Sequence, residues 1–191
     1  MTDPGSERNE GKRERLVEGA RRVFHQQGVQ RTTLADIAEA ASVPIGNVYY
    51  YFKTKDELVE EVIDAHARDI RATFVVFERR RSPRARLKAL VRSWTDLAEP
   101  VARYGCPHGS LCQELDKRDD GLDRRAAKLM SLSVDWAEGQ FRLMGRGDAR
   151  DLAMTLIAAF QGACLLTNSF RDPNIMTRQV RRVERWIDSL V

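Results

Sequence analysis

Residues 32–58 read TTLADIAEAASVPIGNVYYYFKTKDEL, and their spacing predicts two short helices around a tight turn, then the start of a third. Thr33 with Asp36 three residues on is a capping box, in which the hydroxyl accepts one orphan backbone N–H and the carboxylate accepts another. A helix is therefore expected from Leu34, with Leu34, Ile37, Ala38 and Ala41 on one stripe whose small members admit a close neighbour. Ser42 and Val43 supply the turn. Pro44 starts the second helix, because a first helical turn has no use for the N–H that proline lacks. Ile45, Val48 and Phe52 are expected on the buried side of that helix, and Thr54-Lys55-Asp56-Glu57 repeats the capping pattern. Helix, tight turn and helix is the arrangement that lays a second helix in the major groove of DNA.

The rest of the chain sets bounds on this reading. A length of 191 residues with 42% apolar content suits one compact unit or two small ones with ample core. A net charge of +4 and a pI near 9.1 favour an anionic partner, but an excess this mild does not by itself identify DNA binding. Three cysteines, an odd number without secretory context, point to reduced thiols. The opening MTDPGSERNE is polar, carries Pro and Gly and lacks an apolar signal-peptide region, so residues 1–10 are expected to be a disordered arm. No run approaches the roughly 18 apolar residues of a membrane span, and the cytoplasm is the expected location. Apolar residues recur at three and four with almost no strand pattern, which makes the fold all-α. The predicted helices are 12–27, the two in the quoted stretch, 56–80, 83–103, 109–117, 122–144, 148–170 and 177–190. Residues 11–55 are expected to form the DNA-binding domain, and 56–191 a helical ligand-binding and dimerisation domain.

Recognition needs side chains for base edges and donors for phosphates. The Asn47 amide can bond base edges, and Ile45 and Gly46 keep the helix start slim enough to approach them. Tyr49, Tyr50 and Tyr51 offer hydroxyls and flat faces for phosphate, sugar or thymine methyl groups. Thr32, Thr33 and Lys55 are expected on phosphates, with Lys53, Arg31 and Arg13 as further candidates. Phosphate contacts of this kind make binding fall steeply with salt. One such domain has too small a footprint for a specific operator, so a two-fold dimer on half-sites roughly 34 Å apart, or a multiple of that, is expected. Leu156, Ala159, Phe160 and Ala163, with Val183, Trp186, Ile187 and Leu190, form apolar bands on the last two helices and are the expected dimer interface.

Thr-Leu-Ala-Asp-Ile-Ala, the turn, then Gly-Asn-Val-Tyr-Tyr-Tyr-Phe-Lys-Thr-Lys-Asp-Glu-Leu resembles the DNA-binding domain of the TetR (tetracycline repressor) family of bacterial regulators over roughly residues 12 to 60. Two positions depart from the family pattern: Ser42 stands where Gly is usual in the turn, and Pro44 where a Ser or Thr often caps the recognition helix. The resemblance implies a homodimeric repressor on a palindromic operator, a four-helix bundle between subunits, and a helical pocket whose ligand releases the DNA. Such a ligand acts only through its preference for the released state. Phe74, Trp94, Leu97, Tyr104, Leu111, Met130, Val134, Phe141, Gln161 and Leu165 are the pocket candidates, and their composition favours an apolar or aromatic inducer.

Tyr104-Gly-Cys-Pro-His-Gly-Ser-Leu-Cys also resembles a segment of one TetR subgroup whose members include sensors of drug-like and electrophilic compounds. Cys106, at a helix start, is added to the ligand candidates and opens an alternative, a thiol-based sensor. Cys106, His108 and Cys112 fit no firm metal motif, and neither a metal nor a cofactor is expected. An enzyme is not expected either, since Ser110 and His108 lack an orienting acid and no phosphate loop is present. An architectural DNA binder without a ligand is the remaining alternative, against which stands the long helical half.

Overall fold

The computed structural model describes residues 4–190, with side chains from Gly11 on. These residues form α1 (Pro4–Gln27), α2 (Leu34–Ala41), α3 (Ile45–Tyr51), α4 (Lys55–Glu78), α5 (Pro83–Ser93), a 3-10 turn (Trp94–Leu97), α6 (Ala98–Tyr104), α7 (Pro107–Leu115), α8 (Leu122–Leu143), α9 (Ala149–Phe170) and α10 (Asn174–Ser189). There is no strand among them, in agreement with the all-α reading.

Helix ends shift by a few residues, α10 for instance starting at Asn174 and not Thr177, and three larger differences from expectation stand out. α1 begins at Pro4 and not at Lys12, with proline in a first turn where it is tolerated; residues 1–3 of the expected arm lie outside the described residues. The single helix expected over 83–103 is broken by the 3-10 turn. Pro100 explains the break, since it has no N–H to return to the carbonyl four residues back, and the chain tightens just upstream of it. The third difference is the domain boundary. The chain forms two compact units, one comprising residues up to His66 with Ser110–Ala126, the other Ala67–Gly109 with Ala127 onward. The division expected at 55/56 falls instead inside α4, because Leu58, Val59, Val62 and Ile63 of its first turns are buried in the first unit.

In the first unit the capping box of α2 forms as the sequence predicts: Thr33 Oγ1 accepts from Asp36 N at 3.2 Å and Asp36 Oδ2 accepts from Thr33 N at 2.8 Å. α2 lies against α1 at Gly19, where an added Cβ would stand 3.1 Å from Ala41 N and 3.2 Å from Ala41 Cβ. Leu16, Ala20, Ile37, Val48 and Phe52 close the core beneath the turn. Burial of Leu16, Ile37, Val48 or Phe52 contributes about 1.5–3 kcal/mol each.

The second unit is built on α9 and α10, with α5 and α6 packed on them. Leu87, Trp94, Val101, Phe141, Leu156, Met176, Val183 and Ile187 share one core, and Lys88–Asp188 (2.8 Å) and Arg92–Glu184 (2.7 Å) tie α5 to α10 at its edge. By length and composition alone α9 is long and apolar enough to cross a membrane, which corrects the expectation that no run approaches one. A core helix meets the same criteria, and the inner side of α9 is buried in this unit.

Candidate functional site

α3 is two-sided. Val48 and Phe52 are buried, at 0% and 2% exposure, and hold the helix to the first unit, while Tyr49 and Tyr50 stand out at 53% and 68%. Ile45 is 44% exposed, which corrects its expected place on the buried side: it sits in the first turn, beyond the reach of the core that holds Val48 one turn later. Gly46 faces open space, and Asn47 is half-buried with its backbone N–H on Pro44 O at 2.8 Å. Tyr51 is half-buried and packs edge-on to Tyr50 with ring centroids 4.9 Å apart. The turn before α3 depends on Ser42, which takes a left-handed conformation (φ 54°) and donates its N–H to Glu39 O and Ala38 O.

Two of the expected phosphate ligands are used inside the protein. Thr32 is 1% exposed and its hydroxyl donates to Gly28 O at 2.6 Å. Lys55 Nζ donates to Val29 O at 2.8 Å and Thr32 O at 3.0 Å, holding the loop between α1 and α2. Both corrections have one cause: the loop after α1 leaves the carbonyls of Gly28, Val29 and Thr32 in need of donors, and these side chains supply them. Thr33 remains exposed at the start of α2, and Lys53 is exposed with its ammonium on Tyr49 O at 2.8 Å. Arg13 is committed to Glu61 and to the face of Phe52, 5.3 Å from its centroid.

Sequence reading missed the other side of this loop. Glu114 of α7 accepts from Val29 N at 2.8 Å and Gln30 N at 2.6 Å. Arg118 bonds Asp56 in the first turn of α4 at 2.7 Å, and Arg125 bonds Glu60 at 2.8 Å and Asp64 at 3.2 Å. A carboxylate held by two backbone N–H groups makes charge-assisted bonds stronger than neutral ones. Nothing in the local pattern around residue 114 announces a partner some 85 positions away, so this clamp was not legible.

The second unit encloses an open cavity of about 360 Å³. Phe74, Trp94, Leu97, Met130 and Gln161 of the expected pocket line it, joined by Phe160, His108, Asp69 and Asp96, which sequence reading left out. Trp94 and Phe160 lie with centroids 4.7 Å apart at 33°. Six pocket candidates fall elsewhere. Val134 and Phe141 are core, Leu111 is buried in the first unit, Tyr104 is on the surface, and Cys106 is buried behind the wall. Leu165 is 62% exposed on α9. It belongs to an outer apolar face with Met154, Leu166 and Phe170, exposed at 52%, 48% and 68%.

A match to the family model described as "Bacterial regulatory proteins, tetR family" covers residues 16–62, and one to the model described as "Tetracyclin repressor-like, C-terminal domain" covers residues 83–183, more than half of the chain. The chain belongs to the tetR family of bacterial regulatory proteins. An uncharacterized HTH-type transcriptional regulator in the lacX 3' region of Lactococcus lactis subsp. lactis is 30% identical over 86% of this chain and 87% of its own length. The HTH-type transcriptional regulator TtgR of Pseudomonas putida is 49% identical, but over 53 residues, 28% of this chain and 25% of that protein. The fold is that of a TetR transcriptional regulator from Chloroflexus aurantiacus J-10-FL, at TM-score 0.85 and 23% identity over 96% of this chain and 97% of the other. The protein is thus a DNA-binding transcriptional regulator of the repressor type, in a family whose members typically bind operators as dimers and often bind small molecules.

Of the eight residues expected at the dimer interface, four are buried within the chain itself and four are partly buried. Leu156, Ala163, Val183 and Ile187 are buried inside the chain, at 0%, 4%, 4% and 0% exposure, Phe160 lines the cavity, and Ala159, Trp186 and Leu190 pack against the core. α9 is apolar on both sides; Leu156, Ala159, Phe160 and Ala163 belong to its inner one, and the residues of α10 and its end pack into the same core.

Cys106 sits under the cavity wall. Its sulfur accepts from Gly109 N at 3.3 Å and from the Gln161 amide at 3.7 Å, and Gly109 leaves room for that amide, since a Cβ there would stand 2.5 Å from Gln161 Oε1. The Cys164 thiol beside it, with these donors, lowers Cys106 to about 7 against the opposing effect of burial, and the same contact raises Cys164. Among the described residues no group of His, Cys, Asp and Glu could hold a metal ion.

Proposed function

We propose that this regulator reads a palindromic operator with the outer face of α3, and that a small apolar or aromatic molecule filling the cavity of the second unit releases it. The observation that carries the reading is the division of α3 into a buried base, Val48 and Phe52, and a projecting face of Ile45, Gly46, Asn47, Tyr49 and Tyr50. Three polar handles, the Asn47 amide and the two phenols, stand beside a glycine that leaves room for a groove wall. Thr33 and Lys53 flank them as phosphate donors, with Tyr51 supporting Tyr50, while Thr32 and Lys55 fix the loop. Two subunits pair through Met154, Leu165, Leu166 and Phe170 of α9, since large apolar side chains gathered in the open on one helix mark an interaction surface. Such a protein works in the cytoplasm, where its operator is.

The test is binding to the DNA flanking its own gene at two salt concentrations, wild type against Tyr50→Ala. Salt-sensitive, sequence-specific binding weakened about tenfold in the variant is expected, in line with loss of one good contact. Specific binding that Tyr50→Ala leaves intact would remove α3's outer face from the interface.

One observation favours a second reading, a thiol-based sensor: the donors on Cys106 stabilise its thiolate near neutral pH. Operator release by an electrophile in wild type but not in Cys106→Ser is the outcome that would establish it.

A further inference from the structure

All three cysteines are buried, and two of them meet. Cys106 follows α6, while Cys164 lies on α9 one turn after Gln161, so a single face of that helix carries both Gln161 and Cys164. The Gln161 amide reaches the Cys106 sulfur at 3.7 Å, and the Cys164 thiol makes a side-chain hydrogen bond with the same sulfur. Both cysteines belong to the core of the second unit. Cys112 stands apart in the first unit, its thiol on Ala126 O at 3.3 Å. An odd cysteine count still leaves room for one pair, and the fold selects which. A small oxidant also has a way in. Gln161 lines the cavity on one side and touches Cys106 on the other, and its amide donates to two sulfurs, Cys106 at 3.7 Å and Met130 at 3.6 Å. Sulfur is a weak acceptor, so this part of the wall is displaced at little cost.

We propose that Cys106 and Cys164 close to a disulfide when hydrogen peroxide enters the cavity, Cys106 as the attacking sulfur and Cys164 as the resolving one. This rests on the thiol-sensor reading and names its oxidant and its second residue. In the first step the Cys106 sulfur takes one oxygen of the peroxide: the O–O bond breaks, the S–O bond of a sulfenic acid forms, sulfur is oxidised by two electrons, and the thiol proton leaves with the other oxygen as water. In the second the Cys164 sulfur attacks the Cys106 sulfur, the S–S bond forms, the S–O bond breaks, and hydroxide departs with the Cys164 proton as water. Two thiols and one peroxide thus give one disulfide and two waters. The surroundings suit this order. Gly109 N and the Gln161 amide stabilise the Cys106 thiolate, whose charge keeps Cys164 protonated until the neutral sulfenic acid removes that charge.

The test treats the full chain with equimolar hydrogen peroxide, alkylates it with N-ethylmaleimide in denaturant and maps the peptides by mass. A linked pair of peptides carrying Cys106 and Cys164 is expected, with Cys112 alkylated and the link reversed by dithiothreitol. In Cys164→Ser the same treatment is expected to leave a Cys106 sulfenic acid that dimedone traps about tenfold more than in wild type, because the resolving thiol is gone. The wild-type map decides the matter even if that variant does not fold. No linked pair in wild type, a link through Cys112 or between two chains, or equal trapping in wild type and a folded Cys164→Ser each overturns the inference. N-ethylmaleimide applied to the folded wild type then separates it from the reading beneath it: alkylation of Cys106 with release of operator keeps the thiol sensor where the disulfide has failed, and neither reaction removes both.

Discussion

α3 and α9 both expose apolar surface, but of different kinds. α3 shows Tyr49 and Tyr50, rings that end in hydroxyls, around a glycine; α9 shows Met154, Leu165, Leu166 and Phe170, which have no polar handle. A groove in DNA is wet, charged and lined with hydrogen-bonding edges, so the surface that reads it must be amphipathic. A face with no donors or acceptors is satisfied only by another of its kind. On this difference rests the proposal that α3 meets the nucleic acid and α9 a second copy of the chain.

The strongest way to break that assignment is to charge the α9 face. Leu165→Glu is expected to give a monomer in analytical ultracentrifugation and to weaken operator binding by about 100-fold, since an unpaired carboxylate at an apolar interface is heavily penalised. Its helical circular dichroism should match wild type, because position 165 points away from the core. A Leu165→Glu protein that remains dimeric would move the interface elsewhere.

A second pair of substitutions sharpens the comparison within the first unit. Lys55→Met removes the ammonium from two loop carbonyls and is expected to destabilise the fold by about 1–3 kcal/mol, read by denaturant unfolding. Lys53→Met is expected to leave stability unchanged and to lower the salt slope of operator binding by about 1. Reversed results would return Lys55 to the DNA.

These two lysines also mark the limit of what was legible in the sequence. The capping box at Thr33, the turn at Ser42 and the buried pair Val48 and Phe52 depend on neighbours within a few residues, and the pattern places all of them. Lys55 and Glu114 act on a loop 25 and 85 positions away, to Gln30 and Val29, and no local pattern records that. On α9 the spacing identifies an apolar helix but not which side faces inward, because both sides are apolar. The cavity draws single residues from several elements, so half of its expected list proved to be core, surface or neighbour.

The cysteine pair supplies a smaller, pH-dependent effect. Cys106 is held near 7 in the folded protein against an ordinary value near 9, so over that window the unfolded chain binds more protons and stability rises with pH. The contribution is fully present above the unfolded value and is lost as pH falls through about 7. Cys106→Ser is therefore expected to flatten the rise of the unfolding midpoint between those two pH values. An unchanged slope would show that Cys106 is a neutral core thiol, which would also remove the support for thiol sensing.

The smallest effect tests the turn that aims α3. Ser42 has φ 54°, a left-handed conformation in which a side chain is strained and glycine is not. Both turn hydrogen bonds come from its backbone N–H, and its side chain is exposed, so the hydroxyl has little to lose. Ser42→Gly is expected to stabilise the protein by about 0.5–1 kcal/mol, part of the gain being offset by the greater freedom of glycine in the unfolded chain. For a chain of this size that is a rise of about 1–4 °C in the unfolding midpoint. Operator affinity should stay within about twofold of wild type, because the same backbone geometry presents the same outer face of α3. A loss of affinity without loss of stability would mean that the Ser42 hydroxyl itself touches the DNA, extending the reading surface from α3 into the turn.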